Sequence, residues 1–193
     1  MRFFFHFWTT HVRQITDAAI AFIETYAREV AYPPDTYIAC AGDYWPYWNF
    51  LVEGAVMAVR YHEDGSAAVP WLVTEGTYFT GTVHAFTERR DDVFIQTLAY
   101  TRVVQLPNYR LQQAQRQYHS VSELINILKQ RRLERDSLLD EVFRQTEGTA
   151  RVAAFFDAYP RLAPRLTAQQ VCAILKISES TYKRGKKSYY RGR

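Results

Sequence analysis

Apolar residues at Val12, Ile15, Ala19, Phe22, Ile23, Tyr26 and Val30 recur in steps of three and four, which places them on one face of a helix over residues 12–30. Tyr32-Pro33-Pro34 closes that helix, because a prolyl ring disfavours helical geometry at the preceding residue and neither proline has an N–H for the ladder. From Thr36 to Leu106 the pattern changes to short β-branched and aromatic runs, punctuated by Gly42-Asp43, Glu53-Gly54, Asp64-Gly65, Glu75-Gly76 and Gly81. Turn signals spaced about ten residues apart predict an antiparallel sandwich or barrel of short strands. Its clearest hairpin is Ala55 to Val69, turning at His62-Glu63-Asp64-Gly65.

From Leu111 neither proline nor glycine occurs until Gly148, and the Gln, Arg, Leu and Glu content favours one long helix. Tyr118, Val121, Ile125, Leu128, Leu139 and Val142 trace a coiled-coil seam along it, interrupted by Arg132 and Arg135. A further helical pattern, Ala150 to Tyr159, is stopped by Pro160 and Pro164. Two short helical patterns then fill Thr167 to Arg193. Thr167 with Gln170 three residues on has the form of a capping box, and Ser178 is placed to cap the second helix.

Composition adds a core and excludes several chemistries. With 193 residues and 48% hydrophobic content the chain can bury a sizeable interior. The early run Phe3 to Trp8 is too short to span a bilayer and lacks a small-residue cleavage site, so a soluble, cytoplasmic protein with no membrane partner is expected. Cys40 and Cys172 lie far apart and suggest reduced, buried thiols. His6, His11, His62, His84 and His119 form no HxH or HxxxH pair, which leaves no designed metal site and weighs against a cupin-like enzyme built on His62 and His84. No catalytic constellation has a local signature, and Asp91-Asp92 reads as a surface turn, so the chain is not expected to be an enzyme. Tyr44, Trp45, Tyr47, Trp48 and Phe50 read as core or lid of the β unit. Charge is uneven: Thr167 to Arg193 carries +6, whereas the whole chain carries +4, which leaves −2 on the remainder. A positive field concentrated at one end suits a polyanion.

In order, these features resemble the Crp/Fnr family of bacterial transcription regulators, over about Tyr32 to Lys187, and most closely its short Bacteroidetes members. AGDYWPYWNFLVEGAVMAVRYHEDGS is similar to the family's strand-turn-strand segment, and EGTYFTGTVHAF, Glu75 to Phe86, to its phosphate-binding cassette. The resemblance implies an α+β fold: an N-terminal helix, an antiparallel double-stranded β-helix of cupin-like jelly-roll form, a long dimerisation helix and an all-α helix-turn-helix domain with at most a rudimentary wing. It divides the chain into a sensor, 1–145, with its roll at about 33–108 and dimer helix at about 109–145, and a DNA-binding domain, 146–193.

In nucleotide-binding members a cassette glutamate and arginine hold the ribose and the cyclic phosphate. Thr82 and Asp91 stand near those places here, and a carboxylate repels phosphate, so no cyclic nucleotide or other cofactor is expected. Arg89 or Arg90 supplies the cation if the register shifts by one or two residues. The effector pocket implied for another small molecule comprises Phe79, Gly81, Thr82, Val83, His84, Arg89, Arg90, Asp91 and Asp92. The implied DNA contacts are Thr167, Ser178, Glu179, Ser180, Lys183, Arg184, Lys186 and Lys187. Arg184 is aimed at guanine, and Glu179 at cytosine. Lys176 occupies the turn position usual for glycine, and Gly185 marks the expected end of the recognition helix, with Lys186, Lys187, Arg191 and Arg193 in a basic arm beyond it. The implied partners are double-stranded DNA, a second copy of the chain, RNA polymerase and an unidentified small effector. The alternative is a dimeric sensor or protein-interaction module whose DNA-binding end has degenerated.

Overall fold

The structure, a computed structural model, describes residues 1–64 and 66–191, so the expectations placed on Gly65 and Arg193 fall outside the described residues. Two helices open the chain: α1, Arg2–His11, and α2, Asp17–Tyr26. Eight strands follow: β1 Arg28–Tyr32, β2 Tyr37–Ala39, β3 Tyr47–Glu53, β4 Ala55–Tyr61, β5 Ala67–Thr74, β6 Tyr78–Thr80, β7 Phe94–Thr97 and β8 Thr101–Pro107. They form two antiparallel four-stranded sheets, ordered β1-β8-β3-β6 and β2-β7-β4-β5, which is the expected roll. Helices α3, Asn108–Gln117, and α4, His119–Arg144, run to the C-terminal unit. That unit consists of α5 Gly148–Ala158, a 3₁₀ turn at Ala163–Arg165, α6 Ala168–Leu175 and α7 Glu179–Arg191.

The roll is buried on both outer faces as well as inside. Between the sheets lie Leu51, Val56, Val73, Phe79, Ile95 and Val103. Because side chains alternate along a strand, Trp48, Phe50 and Val52 of β3 face outward, where α1, α2 and the first half of α4 cover them with Phe4, Trp8, Ile23 and Leu124. The outer face of the other sheet, with Met57, Val59 and Leu72, meets the C-terminal unit and the second half of α4.

Several expectations change. The helix expected over residues 12–30 is α2 alone: Thr16 caps its start by accepting from Ala19 N, and Ala27 turns extended so that Arg28 to Tyr32 can pair with β8. The run Phe3 to Trp8 is itself helical, anchored where Trp8 Nε1 donates to Ser120 O at 3.2 Å. The long helix breaks at Tyr118, which is extended (φ −128, ψ 111). No breaker residue causes this. The Tyr118 ring packs on Phe22, and the Ser122 hydroxyl donates back to Gln115 O, so tertiary contacts override propensity.

The seam is a further correction. Val121, Ile125 and Leu128 are buried against α1, α2 and the roll, while Leu139 and Val142 are buried against the C-terminal unit, and Tyr118 is the break itself. The apolar stripe is satisfied within one chain. The opposite face of α4 presents Asn126, Gln130, Leu133, Ser137, Asp140 and Arg144, of which only Leu133 is apolar.

Gly185 does not end the last helix. It sits mid-helix, buried where α7 crosses α5, and a Cβ there would stand 2.8 Å from Val152 Cβ and 3.1 Å from Thr149 O. Gly148 makes the reciprocal approach, with Thr181 Cγ2 2.7 Å from where its Cβ would be. One glycine from each helix thus sets a close crossing. Gly185→Ala is expected to destabilise the protein by about 2 kcal/mol through overpacking, although alanine is the better helix former by about 1 kcal/mol. Urea unfolding of Gly185→Ala alone and together with Val152→Ala checks this; the second change should restore part of the loss.

Candidate nucleic-acid interface and effector cavity

The helix-turn-helix is built by local rules that its sequence meets residue by residue. Thr167 and Gln170 form the full capping box: Thr167 Oγ1 accepts from Gln170 N at 3.1 Å, and Gln170 Oε1 accepts from Thr167 N at 2.9 Å. Lys176 adopts the left-handed conformation (φ 54, ψ 50) that the turn demands, without glycine's freedom. Arg151 of α5 donates to Leu175 O at 2.9 Å and so ties the end of α6 to its neighbour. Ser178 Oγ accepts from Thr181 N at 3.2 Å and starts α7 as expected.

Along α7 the inward positions are Tyr182, Gly185 and Tyr189. Tyr189 packs on Phe156, and its hydroxyl donates to Asp157 Oδ1 at 2.9 Å. Ser178, Glu179, Ser180, Lys183, Arg184, Lys186, Lys187 and Arg191 are all exposed. The structure therefore brings the expected contact residues of the second helix onto one solvent-facing surface. Lys186, Lys187 and Arg191 belong to the last turns of α7 rather than to an arm, and no wing strand occurs among the described residues. Thr167 stands apart: it caps the far end of α6, and Gln170, one turn on, donates to Asp35 Oδ1 at 2.9 Å and to Leu98 O at 3.0 Å on the roll.

Not all the cations are equally available. Lys183 Nζ lies 2.7 Å from Glu179 Oε1, and their mutual hydrogen bond raises the lysine's pKa and lowers the glutamate's. Lys186 leans over the Tyr182 ring at 5.5 Å. Arg184 and Lys187 take part in no ion pair among the described residues, so no protein carboxylate competes with a ligand for them.

A cavity of about 460 Å³ opens between the roll and α4. Phe79, Thr82, Val83, His84 and Asp91 line it as expected; Gly81, Arg89, Arg90 and Asp92 do not. Gly81 lies under Trp45, whose carbonyl oxygen would be 2.1 Å from a Cβ there. Arg90 is turned to Gly42 O at 3.1 Å, and Asp92 offers its carbonyl to Arg60 Nε at 3.2 Å. Thr82 is also spent, donating to His84 O and accepting from Asn108 Nδ2, both at 2.9 Å.

The cationic groups at this cavity come instead from α4. Lys129 reaches over Phe86, while Arg132 holds Asp136 through both carboxylate oxygens at 3.0 Å, donates to Tyr78 O and lies over Trp71. Burial of Asp136 raises its carboxyl pKa against the pull of Arg132. Trp48 also lines the cavity, and its buried Nε1–H has no acceptor among the described residues. In the sequence Arg132 registered only as a polar interruption of a seam. Its reach across to the roll had no local signal.

Cys172 fills the small slot in α6 and is half-buried, and burial pushes its thiol pKa up; Cys40 is exposed. Titration of the native protein with a disulfide reagent is expected to label one thiol rapidly and the second more slowly, with Cys172→Ser removing the slow phase. Fast labelling of both would contradict the packing of α6.

No family model and no curated protein matches the chain by sequence. Solved structures do match by shape. The c-di-GMP-responsive global regulator CLP of Xanthomonas campestris is 16% identical, with a TM-score of 0.69 over 92% of this chain and 93% of that one. FixK2 of Bradyrhizobium japonicum is 17% identical, with a TM-score of 0.70 over 86% and 85%. A CRP-family transcriptional regulator of Thermus thermophilus is 13% identical, with a TM-score of 0.69 over 84% and 85%. With its roll, α4 and terminal helix pair in the same order, the chain has the fold of the Crp/Fnr transcription regulators.

Proposed function

We propose that the chain is a DNA-binding transcription regulator that acts as a homodimer on a pseudo-palindromic site. The observation that carries this reading is the exposed face of α7, where Ser180, Lys183, Arg184 and Lys187 follow a capped, tightly turned α6. A recognition helix offers the residues of its first turns to base edges and its flanks to phosphates. Arg184 is assigned to a base edge and Lys187 to phosphate. Lys183 joins them when DNA replaces Glu179 as its partner.

Two copies are required because two half-sites about 34 Å apart need two recognition helices. The surface left for a second copy is not the expected seam. It is the outer side of α4 around Leu133, which is 62% exposed, one turn from the Lys129 that lies over the exposed Phe86. A small effector other than cyclic AMP, held in the roll cavity against Trp48 and Arg132, would act by favouring one of two settings of the reading heads.

Arg184→Ala is expected to cost about 1–3 kcal/mol at one base position and to relax preference there. Lys187→Ala is expected to weaken all sequences alike and to reduce the slope of log affinity against log salt by about one. Binding isotherms on matched and mismatched duplexes at several salt concentrations separate the two. Equal losses on every sequence for both variants would contradict the assigned roles.

A further inference from the structure

A second cleft, of about 760 Å³, lies between the sensor half and the reading head. Its walls are α1, the turn joining β5 to β6, the middle of α4 and the segment from the end of α5 to the 3₁₀ turn. Four arginines line it in two pairs, each spaced by four residues: Arg131 and Arg135 on α4, and Arg161 and Arg165 on the opposite wall.

Three of them have no carboxylate partner among the described residues, and only Arg165 faces one, Glu75 at 3.9 Å. His11 Nδ1 contacts Phe7 O at 2.7 Å and its Nε2 contacts Arg131 Nη2 at 2.8 Å, an arrangement that suits a neutral imidazole accepting from the guanidinium. Arg131 therefore gains a hydrogen bond there without losing its charge, and its guanidinium lies 4.7 Å from the Phe7 ring centre. Arg135 and Arg161 take part in no ion pair among the described residues. Two carboxylates also line the cleft, and one of them faces Arg165. Glu75 Oε1 accepts from Gly54 N at 3.1 Å and stands 3.9 Å from Arg165, and Asp157 accepts from the Tyr189 hydroxyl. Phe3, Phe7 and Tyr159 add aromatic surface beside the cations.

We propose that this cleft binds a phosphorylated small molecule of nucleotide size. Guanidinium forks match phosphate oxygens in pairs, the aromatic rings offer faces for a planar group, and the volume lies within the range of about 300–1,000 Å³ usual for small-molecule sites. The bound anion bridges α4 to the segment that ends at the Thr167 cap, and so fixes how α6 and α7 sit on the roll. The anion site stands independently of the DNA-binding reading; only its regulatory consequence rests on that reading.

Inorganic pyrophosphate, titrated calorimetrically into the full-length protein at fixed salt, is the probe. Saturable binding is expected, weakened about tenfold by Arg135→Gln and by Arg161→Gln, and unchanged by Arg132→Gln at the roll cavity and Lys187→Gln on α7. Equal melting temperatures confirm that the exposed Arg161→Gln variant is folded. Absence of saturable binding by the unaltered protein, or loss of binding through Arg132→Gln or Lys187→Gln rather than through the cleft variants, would overturn the assignment. No DNA enters the titration, so a chain that selects no DNA sequence can still retain this site, and the converse also holds.

Discussion

Helix α4 is the element on which both halves of the molecule depend. Its first half buries Val121, Leu124, Ile125 and Leu128 against α1, α2 and the roll, and its second half buries Leu139 and Val142 against the C-terminal unit. One rigid rod therefore belongs to two cores. Arg132 and Arg135 lie between the two apolar stretches, and each faces a cavity, the roll cavity and the interdomain cleft respectively. The polar middle of the helix thus borders both cavities.

The C-terminal unit meets the roll through the apolar core around Met57, Val59 and Leu72, with a few mostly exposed polar contacts beside it. Gln170 serves two structures at once, with its oxygen in the α6 capping box and its nitrogen on Asp35 and Leu98 of the roll. Arg165 approaches Glu75 at 3.9 Å, with both side chains partly exposed, a geometry that contributes little stability. By contrast the crossing of α5 and α7 is tight, with Gly148 and Gly185 removing the side chains that would hold the helices apart. The C-terminal unit is accordingly close-packed within itself, and it shares a buried apolar core with the outer face of the roll and the second half of α4.

Much of this was legible in the sequence wherever a local rule decides the outcome. The alternating runs and turn pairs between Thr36 and Leu106 marked out the roll, and Thr167 with Gln170 marked the start of α6. Lys176 was readable as a left-handed turn despite its side chain. What escaped were features set by distant partners. Tyr118 breaks a helix that its own neighbours favour, because Phe22 and Ser122 hold it otherwise. The apolar stripe on α4 has the spacing of a dimer seam, but periodicity does not say whose surface fills it; here α1, α2, the roll and the C-terminal unit do. Gly185 reads as a helix end by propensity and is a close-packing residue in fact. Of the candidate site, the α7 surface was visible as charge. The cavity walls contributed by α4 were not, since they depend on which turn of the helix faces the roll.

Selection of random duplex DNA by the purified full-length protein at fixed near-physiological salt, with sequencing of the bound fraction, tests the central claim most directly. The account predicts an enriched motif with two-fold symmetry and half-sites about one helical turn apart. Binding without enrichment, lost uniformly as salt rises, would contradict it and leave α7 as a basic surface that does not read sequence.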